Sequence, residues 1–499
     1  MAQVPLMKSP RMNSTQGTII STLPNNSVTH LVTQSSTVYV GTSKGVARTS
    51  NGGLTWESFR GDPAFVKESI FSLGVRNNFI WAATGYSKPI EDNKTVQTGT
   101  GYAYSTNSGQ TWAHANQPLD AANDSIVQYG SNRINFLPII VPEQNVTFDL
   151  AVTDTTVWVA SWSSGLRKST NRGQTWIRTV LPSDSRNSIA PSDALAGYVM
   201  DPRRNNNFLA FSVYVENDST IWGGTAGGIN KSTDGGVSWT KFSSGNQVSH
   251  ILGNWVISIS GQRFANRTRI WCTNWRADDA SDPGPDEQYG VSFSDDGGRI
   301  WKNALHGVKA YDFAFKDSVV YVASEEGVFR SSDNGESWTQ TGTIIDNKSS
   351  QRLFTKQFYS VGVVADTVYC GSGEGLAKTV DNATTPFGAT WQILRTYRPV
   401  GNTSATYVYP NPFSPKQEIA RVHYGTGGKD ASVTIELFDF GMNRVRTIIK
   451  DAQRSGTAEH DEFWDGLDDN KRQVANGVYF YRVIVSDGDP SWGKVMVLQ

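Results

Sequence analysis

The stretch RSSDNGESW, Arg330 to Trp338, decides how this chain is read, because its spacing recurs. The pattern Ser/Thr-x-Asp/Asn-x-Gly-x-x-Trp runs from Thr49 to Trp56, Ser105 to Trp112, Ser169 to Trp176, Ser232 to Trp239, Ser294 to Trp301 and Ser331 to Trp338. A stretched seventh copy passes from Thr379 through Asp381 and Gly388 to Trp391. Upstream of each box stands a short apolar run with an aromatic centre, such as VYV (38–40), VWV (157–159) and IWC (270–272), preceded by alternating runs such as THLVT, FDLAV and YDFAF. Segments such as GVARTS, GLRKST and GVFRSS lead into the box. Each unit therefore reads as four short strands, A to D, joined by turns. Seven such units predict an all-β chain built as a seven-bladed β-propeller over residues 28–396, after an N-terminal segment 1–27.

Physics assigns the box a structural task. Between strands C and D the acid or amide at Asn51, Asn107, Asn171, Asp234, Asp296, Asp333 and Asp381 accepts hydrogen bonds from its own turn, and glycine supplies a positive φ. The tryptophans Trp56, Trp112, Trp176, Trp239, Trp301, Trp338 and Trp391 offer a large apolar face to the neighbouring sheet. An acidic site repeated seven times is the competing idea, and it fails because asparagine stands in the first three copies without a compensating acid.

Composition narrows the function. The 499 residues carry a net charge of -1 with no basic stripe, which argues against nucleic-acid binding. No apolar run reaches the roughly 18 residues of a membrane-spanning helix. The start, MAQVPLMKSPRMNS, lacks the apolar core of a secretory signal, and the chain is expected to be numbered from after signal removal. Cys272 and Cys370 share one strand-B column in non-adjacent units and read as small buried residues rather than a disulfide.

The boxes resemble the Asp-box, or bacterial neuraminidase repeat, family, which includes sortilin-type and photosystem-assembly propellers. Sialidases share only the scaffold with this chain. Their Arg-Ile-Pro signature is absent, the nearest text being Arg133, Ile134 and Asn135, and no arginine triad or Tyr/Glu pair can be mapped. The match of Gly41 to Gly45 to a hydrolase elbow is a strand-to-strand turn, whereas that chemistry needs a strand-to-helix turn.

Candidate sites follow from loop accounting. The B–C connections 85–99 and 275–288 and the D–A connections 113–146 and 180–206 are expected on the face opposite the boxes, and long loops on a rigid scaffold are where binding resides. Trp162 and Trp275 stand at the roots of B–C loops, placed to stack on a sugar or anchor a partner. Beside Trp275, Asp278, Asp279, Asp282, Asp286 and Glu287 offer oxygen ligands to calcium or form a solvated acidic loop; no other cofactor is expected. A strand-A column reads His30, Ser72, Asp149, Val213, Asp312 and Ser360, with unit 5 near Ser258. Asp149 and Asp312 are a candidate acid/base pair for glycosidic cleavage, with the acidic loop as the other source of carboxylates, against a strand-end hydrogen-bonding role.

After Arg398 the composition changes. A linker, 397–406, precedes short alternating strands over 407–499, which predict an immunoglobulin-like β-sandwich. Tyr409-Pro410-Asn411-Pro412-Phe413, the Trp464-Asp465-Gly466 turn, Gly477-Val478-Tyr479-Phe480-Tyr481 and the closing Lys494-Val495-Met496-Val497 resemble the C-terminal sorting domain of type IX secretion cargo, and also the Ig-like domain of flagellar hook-capping proteins. The first resemblance implies export, engagement of the type IX machinery, and an extracellular or outer-membrane-surface location. The expected role is a binding or scaffold protein recognising a glycan or extracellular protein. The alternatives are a glycoside hydrolase-like or lyase activity on the same propeller and an assembly factor or structural subunit of an extracellular complex.

Overall fold

The computed structural model describes residues 17–67, 69–90, 94–277, 287–396, 406–416, 418–426, 429–456, 460–486 and 488–498. The chain divides into two compact units, Met1–Thr396 and Tyr397–Gln499. Among the described residues there is no α-helix, only a short 3-10 turn at Asn206–Phe208. None of the described helices is long and apolar enough to cross a membrane.

The first unit is a β-propeller. Its described residues form seven consecutive antiparallel sheets, each ordered A-B-C-D in the chain. The seven A strands neighbour one another in succession, and Phe358–Val364 of the last sheet returns to Val28–Gln34 of the first. Strand B is sandwiched on both faces by adjacent sheets, which is why Val157–Ser161, VWVAS, is buried along its whole length instead of alternating. Cys272 and Cys370 are buried, unpaired strand-B residues.

Each box closes its turn with its own side chains. In sheet 4, Ser232 Oγ donates to Asp234 Oδ1 at 2.8 Å, which in turn accepts from the N–H groups of Val237 (3.1 Å) and Ser238 (2.9 Å). The Gly236 N–H donates to Ser232 Oγ at 2.8 Å. Asparagine serves equally, because Asn51 Oδ1 accepts from the Thr55 N–H while its Nδ2 donates to Thr55 Oγ1 at 2.8 Å. Where the box holds Asp234 or Asp333 the hydroxyl direction reverses, and Ser238 or Ser337 donates to the carboxylate at 2.5 Å. Gly236 is required twice over: φ is +93°, and a Cβ there would lie 2.4 Å from Trp158 Cη2 of the preceding sheet.

The box tryptophans fasten each sheet to the one before it. Trp239 meets Trp158 edge-on at 6.2 Å, and Trp338 meets Trp271 at 6.2 Å and 90°. Trp56 of sheet 1 shares a cluster with Tyr369 and Leu376 of sheet 7. A basic column on strand C, unused in the sequence reading, adds a second fastener by donating to carbonyls of the next box. Lys168 reaches Gly235 O, Lys231 reaches Gly297 O and Lys378 reaches Gly52 O across the ring closure. Among the described residues no strand is shared between the first and last sheets, and side-chain contacts such as Lys378 to Gly52 O join them.

Four regions differ from expectation. The stretched seventh copy does not use Asp381 in its turn; Asn382 Oδ1 accepts from the Thr384 and Thr385 N–H groups instead. Asp381 is buried between sheets 6 and 7, bound by the Tyr321 hydroxyl and by Arg330 Nε at 2.6 Å. Residues 85–99 are largely strand, because Phe79–Pro89 and Thr95–Ser105 continue as one ribbon, pinned by Lys88 to Glu143 at 2.5 Å. The 113–146 and 180–206 segments are not free loops on the opposite face. Ile126–Tyr129, Asn132–Phe136 and Val199–Met200 form a small sheet packed beside sheets 3 and 4, and Tyr129 Oη reaches Val237 O within a box turn. A bidentate pair, Arg167 to Asp120 at 2.7 and 2.8 Å, holds this addition in place with both side chains almost wholly buried. Ser188–Ile189 extends sheet 4, and Thr18–Ile20, from the segment read as lying before the repeats, extends sheet 1.

The second unit is a two-sheet sandwich. Thr406–Tyr409, Ala420–Tyr424 and His460–Trp464 form one sheet, and Ala431–Phe438, Arg444–Arg454, Gly477–Val485 and Ser491–Val497 the other. Their inward residues, among them Val422, Ile435, Trp464, Tyr481 and Val495, make one apolar core. Segments distant in sequence meet at one edge. Asn411 Oδ1 accepts from the Met496 N–H at 2.9 Å and its Nδ2 donates to Lys494 O at 2.9 Å. Asp468 accepts from the Asn470 and Arg472 N–H groups, so this aspartate serves a turn.

Candidate functional site

On the face opposite the boxes, every strand A carries a bulge at the same place. The A–B register slips once in each sheet, leaving an extra residue: Phe71, Phe148, Phe211, Tyr311 and Tyr359 in five sheets, Thr29 and Ile257 in the other two. A bulge sets two consecutive side chains toward one side and re-aims them. Here it does so near the start of the innermost strand, at the mouth of the axis. The rings touch around this mouth, Phe148 to Phe211 at 5.8 Å and Tyr311 to Tyr359 at 5.7 Å.

The residue after each bulge forms a second ring, one step deeper: His30, Ser72, Asp149, Ser212, Ser258, Asp312 and Ser360. In sheet 4 the register places Ser212 here, opposite Gly224, and moves the expected Val213 one position on, opposite Gly223. Asp149 accepts from the N–H of Leu150 (2.8 Å) and, across to the next sheet, of Val213 (2.9 Å). Asp312 repeats this with Phe313 (2.8 Å) and Val361 (3.0 Å). Each carboxyl thus ties two A strands. Desolvation nevertheless outweighs the two backbone bonds and raises both carboxyls to about 7, with Asp149 adding a Coulombic contribution at Asp312. Desolvation also lowers His30 to about 4, so its imidazole is neutral at pH 7.

A glycosidase needs two carboxyls with contrasting environments, one kept protonated and one ionised. Asp149 and Asp312 instead sit in matching environments, and both are engaged as strand ties. Among the described residues, no three His, Cys, Asp or Glu side chains gather as a metal site. Asp278, Asp279, Asp282 and Asp286 lie outside the described residues. Glu287 is described, and its Oε1 accepts from Asn254 Nδ2 at 2.5 Å.

The two candidate indoles are both half-buried on this face. Trp162 contacts Phe148 (6.5 Å), Phe211 (5.1 Å) and Trp255 (5.9 Å). Trp275 donates Nε1 to Ala310 O at 2.9 Å, stands edge-on to Tyr311, and has Lys309 Nζ 5.5 Å over its ring. They join the bulge aromatics in one arc over sheets 3 to 7. Sequence reasoning named the indoles but missed this arc. Its signal was the triplet of any residue, then His/Ser/Asp, then an apolar residue, as in Phe71-Ser72-Leu73, Phe148-Asp149-Leu150 and Tyr311-Asp312-Phe313.

No protein-family model matches the chain, and no curated protein matches it. Solved structures similar to it include YCF48 from Cyanidioschyzon merolae, at 15% identity and TM-score 0.43, covering 73% of this chain and 98% of that one. PorZ, a surface component of the type-IX secretion system of Porphyromonas gingivalis, is similar at 16% identity and TM-score 0.32, over 93% of this chain and 64% of its own. An ancestral GH74 enzyme is similar at 12% identity and TM-score 0.49, over 98% of this chain and 64% of its own. At such values the likeness says nothing about function.

Proposed function

We propose that this chain is an exported binding or scaffold protein, a seven-bladed Asp-box propeller that holds a protein partner on the face opposite its boxes. The observation that carries the reading is the contrast between box turns that consume their own polar groups and the arc of half-buried aromatic rings around the axial mouth. Aromatic side chains concentrate binding energy at interfaces. A protein partner is favoured over a glycan because the indoles are knitted into their neighbours: Trp162 has three ring neighbours, and Trp275 donates Nε1 to Ala310 O with Lys309 Nζ 5.5 Å over its ring. The C-terminal unit is proposed as an Ig-like type IX sorting domain. Its support is that the Tyr409 to Phe413 motif and the closing strand, the two pieces that carry that resemblance, interlock through Asn411.

The test places a photo-crosslinking residue at Trp162 or Trp275, and separately at Thr55 or Thr175 in the boxes, in cells that make the protein. Crosslinks to one partner only from the first pair support the reading, and crosslinks only from the boxes overturn it. A glycan panel bound by the intact chain and lost on Trp162→Ala would shift the reading from protein to carbohydrate. Removal of residues 407–499 is expected to abolish surface delivery while the propeller accumulates inside.

A further inference from the structure

At the outer rim of the propeller, two sheets gain a fifth strand that pairs antiparallel with strand D. Thr18–Ile20 lies along Trp56–Ser58, and Ser188–Ile189 lies along Trp239–Phe242. Both additions keep one register. An isoleucine, Ile20 or Ile189, stands opposite the box tryptophan. Two positions earlier a polar residue, Thr18 or Asn187, stands opposite Ser58 or Lys241, and the Lys241 N–H donates to Asn187 O at 2.7 Å. The tryptophans covered in this way, Trp56 and Trp239, are 1% and 2% exposed.

The other edges but one are engaged by different means. In sheet 5 the Trp301 N–H donates to Ser249 O at 3.2 Å. In sheet 7 the Trp391 and Ile393 N–H groups donate to Asn347 Oδ1 and Asp346 Oδ2 at 2.6 and 2.8 Å. Phe59 and Phe65 pack on Trp112 of sheet 2, and Arg178 of sheet 3 is held by Asp124 O and Phe136. Sheet 6 is left over. Its D strand, Thr339–Gln340, follows a tryptophan, Trp338, that stays half-buried. The Thr341 N–H donates to Val328 O at 2.9 Å, so antiparallel alternation turns the backbone groups of Gln340 and Gly342 away from strand C. Among the described residues those groups meet no partner. The run Trp338 to Thr343, WTQTGT, also lacks the charges and prolines that keep a strand edge from pairing.

Beside this edge lies an open groove of about 340 Å³. Thr339, Thr341 and Thr343 line one wall, and Phe387 and Trp391 of the stretched seventh box line the other. Phe387 stands edge-on to Trp391 at 5.8 Å, so the irregular copy supplies the apolar wall.

We propose that the edge of sheet 6 binds an extended segment of another protein as a fifth strand, antiparallel to Trp338–Gly342. The internal strands of sheets 1 and 4 define its chemistry: a β-branched apolar residue opposite Trp338 and a small polar residue opposite Gln340. The residue opposite Thr341 shares that threonine's face and enters the groove beside Phe387. Main-chain bonds supply affinity and the side-chain contacts specificity. A second copy of the chain does not match, because its own edge, WTQTGT, holds no isoleucine or valine. This site lies on the outer rim and does not depend on the reading of the face opposite the boxes.

Two capped peptides that copy the internal strands, GTIIST (residues 17–22) and RNSIAP (residues 186–191), probe the full chain by fluorescence anisotropy and amide exchange. Saturable binding with slowed exchange over residues 339–343 is expected. Gln340→Pro removes an N–H that strand C does not use and lowers affinity about tenfold, whereas Gln340→Ala keeps that N–H and stays within about twofold. GTIIST with N-methylthreonine facing Gln340 loses a similar factor, which carries the same test on the unaltered chain. Tyrosine in place of the glycine of GTIIST, the residue that faces Thr341, tightens binding, and Phe387→Ala cancels the gain. Failure of both peptides to bind at millimolar concentration, or binding indifferent to Gln340→Pro and to the methylated peptide, overturns the proposal. So does a concentration-dependent dimer that Gln340→Pro abolishes, which would give the edge to a second copy. None of these failures touches crosslinking from Trp162 or Trp275, which tests the other face.

Discussion

The two faces of the propeller use the same residue type to opposite ends. On the box face, Asp333 accepts from Ser331, Ser337 and the turn amides at a surface turn, and those bonds hold its carboxyl down to about 2. At the axis, Asp149 and Asp312 also accept two backbone bonds apiece, yet burial raises them to about 7. The difference teaches that hydrogen-bond number does not set the charge state of an aspartate here; access to water does. One face holds satisfied anions that fasten their own turns, and the other holds desolvated acids that tie neighbouring A strands.

The comparison breaks most visibly if the box face proves dispensable. Trp239→Ala empties the contact with Trp158 between sheets 3 and 4 and is expected to lower stability by about 3–5 kcal/mol in chemical denaturation. Trp162→Ala, on the other face, is expected to cost about 1–2 kcal/mol. Equal losses would erase the distinction between fastener and contact residue. Asp120→Ala leaves the buried Arg167 guanidinium unpaired and is expected to cost about 3–5 kcal/mol, with protease entry between residues 113 and 146 as a second readout.

A subtler effect comes from pH. Each axial aspartate has a folded value near 7 above an unfolded value near 4. Its protonated form is favoured by folding, so its contribution is full below about pH 4 and is lost as pH rises through 7. His30 runs the other way, since a folded value near 4 lies below its unfolded 6.5 and stability is lost as pH falls through that window. Urea midpoints measured from pH 4 to 8 therefore carry a downward component that Asp149→Asn with Asp312→Asn removes. A double variant with an unchanged profile would contradict the axial assignment. The smallest effect is expected from Asn51→Asp, within about 0.5 kcal/mol, because the Thr55 hydroxyl turns from acceptor to donor as the Ser238 hydroxyl already does beside Asp234.

Much of this was legible in the residues themselves. The box spacing marks the C–D turns and the tryptophans that span sheets, because turn chemistry is local and a buried indole repeats with its unit. The uninterrupted burial of strand B was legible in VWVAS and its counterparts for the same reason. The strand-A bulges were not, since a one-residue slip changes which side a side chain faces without changing the alternating pattern around it, and so Val213 was read where Ser212 stands. Nor was the fate of 113–146 and 180–206, whose pairing with each other and whose Arg167–Asp120 bridge depend on contacts far apart in the chain. Sequence by itself determined the repeating unit, the turns of its six regular boxes and their tryptophan fasteners, all set within a few residues. Only the tertiary structure decided which groups meet at the axis and how strongly they are charged, because desolvation is a property of everything packed around a group and is written in no single stretch.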